Sequence, residues 1–300
     1  MNHRPQSRQS GNCGEKNLED SKNYDQVRPR EKWDSVEQYV LYLKQFMAYK
    51  YAKRLVKDNF VLEIGCGAGY GANYLSEFAS NIVAIDISKS AIAYCNKKYK
   101  KKKMSFLQAS GLNIAIKNSS VDVAISFQVI EHIEPKYVRQ YLTEIKRALK
   151  EGGIFVVSTP NKKLRLLPFQ KPRNPEHKKE YDYRDLESAL KEVFEDVQVY
   201  CLTGSPQIQL IEQNRVKQNP FIVYIIRPLI PLLKKMQLYE SLSRLKKLRK
   251  PIVKKTQSLV SEETFRKIQI SDFKVTQYFK DCLDFYGICT KISRKNRINI

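Results

Sequence analysis

The sequence predicts an α/β domain built on a largely parallel sheet with helices on both faces. Three observations carry this. Short, continuously apolar segments alternate with segments of helical period from about residue 36 to residue 202. Those segments are apolar throughout, as strands buried on both faces must be. A glycine-rich turn, Gly65 to Gly69, joins the first of them to the next helix. The chain has 300 residues, 42% of them hydrophobic, which is enough for a sizeable core.

A helical pattern starts at Val36 and continues through Tyr39, Val40, Leu43, Phe46, Met47, Tyr51 and Leu55, with Asp34 or Ser35 available as its cap. Phe60–Ile64 is the first strand, and a helix follows around Ala72–Phe78. Asn81–Ile85, Met104–Gln108, Val121–Phe127 and Ile154–Ser158 are the next strands, with helices at Ala91–Tyr99 and Val138–Leu149 between them. Gly152 and Gly153 are expected to end the helix before the fifth strand. Leu186–Val193 is a further helix, Val197–Leu202 a sixth strand, and Cys282–Ile292 the last. Residues 1–30 are polar and aperiodic and read as a disordered tail.

Composition narrows the class. Charged residues at 28% and aromatics at 11% exclude wholesale disorder. The longest strictly apolar run, Phe221 to Ile226, is far shorter than the roughly 20 residues of a spanning helix. No apolar stretch of a secretion signal opens the chain. Six cysteines without C-x-x-C pairs fit reduced residues of a cytoplasmic protein. The net charge, 54 − 31 = +23, is uneven: residues 213–260 hold twelve Lys or Arg and one acid, Glu240. A run of six lysines between Lys97 and Lys103 reads as a solvated helix end.

The segment Val61-Leu-Glu-Ile-Gly-Cys-Gly-Ala-Gly69 follows a strand and opens a helix. Glycines at 65, 67 and 69 allow a tight turn and close backbone approach to a ligand. Asp86 ends the next strand 21 positions after Gly65, where a carboxylate reaches two ribose hydroxyls. The whole arrangement points to a nucleoside ligand. With Glu63 two residues before the glycines, the pattern resembles the class I S-adenosylmethionine-dependent methyltransferases, of the type 11-like kind. The likeness extends over about residues 45–204 and again over 282–292, through Val121 to Ile133 and Gly152 to Asn161. It implies a Rossmann-like seven-stranded mixed sheet with an antiparallel last strand. It also implies that Glu63, Gly65, Gly67 and Gly69 hold the methionine part of S-adenosylmethionine, Asp86 its ribose and Ile87 its adenine, with Tyr49 closing over the cofactor. Ser110 stands where the family usually has Asp, so weaker cofactor binding is expected.

Just past the fourth strand, Gln128, Glu131 and His132 are spaced to share one side of a helical turn. With His177 in Asn174-Pro-Glu-His-Lys-Lys-Glu-Tyr181, they resemble the E-x-x-E-H…H metal motif of small-RNA 2′-O-methyltransferases, with Gln128 in place of the first Glu. That resemblance implies a divalent metal on Gln128, Glu131, His132 and His177, acidifying one of two neighbouring hydroxyls. Without a metal, His132 is the general base and Glu131 orients it.

Residues 204–275 break the alternation with prolines at 206, 220, 228, 231 and 251 and a leucine stripe at 238, 242 and 245. Three readings stay open: a helical lid over the substrate, an amphipathic stretch (221–250) on an anionic membrane, and a nucleic-acid groove. The chain thus divides into a tail (1–30), a cofactor-binding core (31–203), a basic insertion (204–275) and a last strand with its tail (276–300). The expected activity is methyl transfer to an oxygen of a small-molecule or glycan acceptor, a sugar or polyol. Ribose 2′-O-methylation of RNA, small-molecule N-methylation and a non-catalytic binding role are the alternatives. The expected location is the cytoplasm, with peripheral membrane contact.

Overall fold

A computed structural model of the chain describes residues 33–217 and 267–292, together with residue 29 and residues 220, 222–226, 228 and 229. The expected tail, residue 29 apart, and the leucine stripe lie outside the described residues.

Helix α1 (Val36–Val56) starts where expected, and Ser35 caps it by accepting from the Gln38 amide at 3.3 Å. It buries Val40, Leu43, Ala48 and Ala52 against the sheet. Each large apolar side chain so buried contributes about 1.5–3 kcal/mol. There follow β1 (Phe60–Ile64), α2 (Tyr70–Leu75), β2 (Asn81–Asp86), α3 (Lys89–Lys98), β3 (Met104–Gln108) and β4 (Val121–Phe127). Next come α4 (Val138–Ala148), β5 (Leu149–Pro160), a short α5 (Lys162–Arg165), α6 (Tyr183–Lys191), β6 (Asp196–Gly204) and α7 (Pro206–Val216). After the undescribed stretch come β7 (Phe273–Thr276) and β8 (Asp284–Thr290).

The eight strands run β3-β2-β1-β4-β5-β8-β6-β7. The first five in space are mutually parallel, and β8 is antiparallel to both its neighbours, β5 and β6. The seven-stranded expectation is one short: β7 adds an antiparallel edge strand on β6, Gly204 opposite Phe273. Its residues are the end of the expected insertion, so the insertion returns to the sheet before the last strand. A four-residue strand with one apolar anchor, Phe273, leaves too little period-two signal to read in advance.

The glycine pair at 152–153 also acts differently from expectation. Helix α4 already ends at Leu149, and Gly152, with φ +75°, sits in a bulge of β5. There the register with β4 jumps from Val121↔Leu149 to Val123↔Ile154. Two apolar layers flank the sheet. One lies under α1, α2, α3 and α7, the other under α4 and α6. The chain leaves β1 towards β2 and β3 and returns to the other side of β1 as β4. That reversal opens a crevice beyond the carboxyl ends of β1 and β4, where open α/β sheets bind ligands.

Candidate functional site

A cleft of about 570 Å³ fills that crevice. Its floor is the loop after β1, and its far wall is the loop after β4. Gly65, Gly67 and Gly69 all have positive φ, at +76°, +51° and +71°. A side chain at Gly65 would strike Val129 at 2.4 Å, and one at Gly69 would strike Cys95 at 2.7 Å. At Gly67 a side chain would meet no protein atom within 4 Å, so that position faces the open cleft. The first and third glycines are needed for packing, and the middle one leaves the backbone open to the cleft.

Asp86 ties this loop down. Its two carboxylate oxygens accept from the Gly67 amide and the Ser88 amide, each at 2.8 Å. Each oxygen keeps further acceptor capacity for a ribose hydroxyl. Ile87, 73% exposed, stands on the cleft rim. Ser110 lines the cleft as well, but its hydroxyl accepts from the Leu112 amide at 3.2 Å and shapes its own turn.

Glu63 is buried beneath the loop, with one oxygen accepting from the Tyr49 hydroxyl at 2.7 Å. Its other oxygen is buried without a hydrogen-bond partner. Burial drives the Glu63 carboxyl up to about 8, opposed by the Tyr49 bond and reinforced by Asp86. Tyr49 is positioned by Gly71 of α2, where a Cβ would lie 1.9 Å from the tyrosine ring. An orphaned acidic oxygen under a glycine loop fits a ligand that brings a positive amino group.

On the opposite wall, Gln128 has a left-handed φ of +58°. Its amide nitrogen donates to Ser158 Oγ at 3.3 Å and to Asp284 Oδ2 at 3.2 Å. Both N–H groups are committed, so the polar atom that Gln128 keeps for the cleft is its carbonyl oxygen. Ile130–His132 is a single 3₁₀ turn, not the α-helical turn on which the three side chains would share a side. Glu131 points inward, 1% exposed, and accepts from Thr159 Oγ1 at 3.0 Å. Its second oxygen is buried without a partner. Burial lifts its carboxyl to about 7 against the pull of His177, Thr159 and Arg165. His132 lines the cleft.

His177 arrives from a loop 45 residues later in sequence and packs edge-on to His132, with ring centroids 4.7 Å apart. The loop is held by Lys178 and Lys179 amides donating to the Glu131 carbonyl at 2.7 and 3.2 Å. Ligand atoms of Glu131, His132 and His177 all lie within 4.8 Å of one another. His177 Nδ1 is 2.9 Å from Glu180 Oε1, and since a carboxylate only accepts, Nδ1 is the donor and the ring is oriented by Glu180. Two imidazoles and an orphaned carboxylate oxygen fit a divalent cation of the Mn²⁺, Fe²⁺ or Zn²⁺ kind.

A buried charge network lies behind this wall. Lys44 of α1 bonds Asp284 of β8 at 2.8 Å and lies 3.4 Å from Glu212 of α7. Arg215, which lines the cleft, holds Glu212 with two bonds of 2.7 and 2.8 Å. Lys44 and Arg215 keep the Glu212 carboxyl down at about 2 despite its burial. Of the sequence-predicted residues, Tyr49, Gly65, Gly67, Asp86, Ile87, Ser110, Gln128 and His132 line this cleft, whereas Glu63, Glu131 and His177 are buried and, like Gly69, do not line it. Sequence reasoning missed Glu180, Asp284, Lys44 and Arg165. Glu180 had a signal, an acid three residues after a candidate histidine. Asp284 is 156 positions from Gln128, and nothing local marks it.

Residues 62–157 match the family described as Methyltransferase domain. A protein of Mycobacterium tuberculosis named "Probable S-adenosylmethionine-dependent methyltransferase" is 34% identical over 152 residues, covering 50% of this chain and 53% of that one. A phthiotriol/phenolphthiotriol dimycocerosates methyltransferase of the same species is 30% identical over 97 residues, 32% of this chain and 35% of that one. The chain therefore spans about half the length of the first of these relatives. Among solved structures, a SAM-dependent methyltransferase from Thermotoga maritima superposes with a TM-score of 0.51 at 15% identity, over 84% of this chain and 92% of that one. That likeness concerns the fold. Residues 62–157 are thus similar to a methyltransferase domain, and the first of these relatives is named for its dependence on S-adenosylmethionine.

Proposed function

We propose that this chain is a methyltransferase that moves the methyl group of S-adenosylmethionine to a hydroxyl oxygen of a small-molecule or glycan acceptor carrying neighbouring hydroxyls. The observation that carries the reading is the convergence of the buried Glu131 and His177 on His132, which lines the same cleft as the glycine loop.

Cofactor binding falls to Gly65, Gly67 and Gly69 by close backbone approach, to Asp86 by acceptance from ribose hydroxyls, and to Glu63 by its orphaned oxygen facing the amino group. Tyr49 seats Glu63, Ile87 covers the adenine, and Ser110 lines its edge. S-adenosylmethionine supplies a methyl on a positively charged sulfur. The acceptor oxygen gives its lone pair to that carbon, the carbon–sulfur bond breaks, and its electron pair stays on sulfur as S-adenosylhomocysteine forms. Without a metal, His132 takes the hydroxyl proton and Glu131 orients it. A divalent metal, held by Glu131, His132 and His177 with the Gln128 carbonyl beside them, would acidify the hydroxyl. The acceptor lies in the outer cleft between Arg165 and Arg215, beneath α7.

Packing of α7 on α1, and Arg215 at the cleft, support a lid role for the start of 204–275 over a core of 31–203 and 276–300. Most of 221–250, expected to touch an anionic membrane, lies outside the described residues. No helix among the described residues is long and apolar enough to cross a membrane.

The test is calorimetric titration of Mn²⁺ and Mg²⁺ into protein loaded with S-adenosylhomocysteine, beside His132→Ala. Metal binding that disappears in the variant, and transfer to sugars or polyols that falls with it, is expected. Transfer unchanged by His132→Ala and His177→Ala, yet abolished by Asp86→Ala, would refute the catalytic assignment and leave the cofactor site standing.

A further inference from the structure

The stretch from Asn161 to Pro175, made of α5 and the loop that leads to the His177 turn, is basic; Lys162 pairs with Asp185 and Arg165 with Glu180, and Lys163 and Lys171 are exposed. It carries Lys162, Lys163, Arg165, Lys171 and Arg173 and no acidic residue. At its tip Phe169 is fully exposed, at 105%. Its backbone is left-handed, with φ +59°, a conformation that bulky residues avoid. Exposing a phenyl ring and straining its backbone are both unfavourable, and no aromatic partner is found for the ring among the described residues.

The surroundings extend the same surface. The Tyr224 hydroxyl donates to the Pro168 carbonyl, which sets the turn of residues 222–226 against the loop. Tyr224, Ile225 and Leu229 are themselves exposed. Arg173 donates to the Val216 carbonyl at 3.2 Å, fastening the loop to the end of α7. Exposed Lys163 and Lys171 flank the apolar tip. Arg165 and Glu176, at the two ends of the loop, line the cleft, so this surface is its outer rim on the acceptor side.

We propose that the Phe169 tip, with the exposed Lys163 and Lys171 on either side of it in the chain, forms a docking face for an anionic lipid bilayer. An apolar wedge within a cationic collar is what such an interface selects: the ring enters the acyl boundary while the ammonium groups stay among the phosphates. Nucleic acid fits less well, because its backbone matches the cations but offers nothing to the aliphatic Ile225 and Leu229. The face lies upstream of the 221–250 stretch for most of its extent, and the proposal stands apart from the catalytic reading. It adds that acceptors held at a membrane surface meet the cleft directly.

The experiment is co-sedimentation of the full chain with vesicles of phosphatidylcholine alone and of an equal mixture of phosphatidylcholine and phosphatidylglycerol. The chain should sediment with the mixed vesicles and far less with the neutral ones. Phe169→Asp, which the left-handed backbone accepts more readily than Phe, should weaken that partition about tenfold. Lys163→Glu combined with Lys171→Glu should weaken it at least as much, and both variants should bind S-adenosylhomocysteine as the parent does. Partition of Phe169→Asp equal to the parent's would overturn the proposal. So would absence of vesicle binding by the parent, or binding of a single-stranded RNA in its place that the lysine variant loses. Intact cofactor binding in any of these cases would leave the methyltransferase reading untouched.

Discussion

The amide of Gln128 and the carboxylate of Asp284 meet at 3.2 Å, joining the loop after β4 to β8. Lys44 holds the other oxygen of Asp284 at 2.8 Å, so the glutamine completes a buried, charge-compensated set. This explains why an amide stands where the resembling metal motif has an acid. A carboxylate at 128 would face Asp284, whose carboxyl burial already raises, across the same gap, and one of the two acids would have to take up a proton. Gln128→Glu should therefore destabilise the chain by about 1–3 kcal/mol, as an unsatisfied buried acceptor does. Adding Asp284→Asn should return part of the loss, with a coupling of about 0.5–3 kcal/mol in a denaturation double-mutant cycle. Purely additive effects would show that the contact does not decide the residue type.

Gly71→Ala gives a prediction whose sign runs against helix propensity. In an exposed helix interior the change stabilises by about 1 kcal/mol. Here the new methyl would sit 1.9 Å from the Tyr49 ring and push it off Glu63. Lower thermal stability and weaker binding of S-adenosylhomocysteine are expected together, by thermal melting and calorimetry. A more stable variant with unchanged affinity would contradict the seat assigned to Tyr49.

Cofactor binding should release a proton. With its carboxyl raised to about 8, Glu63 is protonated at neutral pH in the unliganded protein. An incoming ammonium group favours the carboxylate, so binding at pH 7 expels that proton. Affinity for S-adenosylhomocysteine should accordingly rise with pH through neutrality and level off above about 8. Calorimetry in buffers of different ionisation enthalpy reads the proton directly, and Glu63→Gln should abolish its release. Equal heats in all buffers would place the amino group elsewhere.

Glu180 should matter to metal affinity without touching the metal. It fixes the His177 ring through a 2.9 Å bond and lies 3.5 Å from Arg165. Such outer partners are worth about 10–100-fold in metal affinity. Glu180→Ala should weaken Mn²⁺ binding by that factor and leave S-adenosylhomocysteine binding alone. Glu180→Gln, which keeps an acceptor for Nδ1, should lose less. Unchanged Mn²⁺ affinity in both variants would remove the residue from the site.

Much of this was legible in one dimension. Strands buried on both faces announce themselves as unbroken apolar runs, and Gly65, Gly67, Gly69 and Asp86 sit at spacings that local backbone geometry enforces. The sequence by itself therefore determined the sheet's parallel half, the cofactor loop and the residues expected to touch a nucleoside. It also offered Gln128, Glu131, His132 and His177 together, as the metal set that the resemblance implies. Only the tertiary structure decided what Gln128 presents to the cleft, because its amide is oriented by Asp284 from a strand 156 residues away. The same holds for the ring orientation of His177, set by Glu180, and for the edge strand β7, whose pairing comes from β6 and not from its own four residues. Local periodicity records which face of an element is buried. Which polar atom meets which, between elements far apart in the chain, is fixed only when the sheet brings them within hydrogen-bond range.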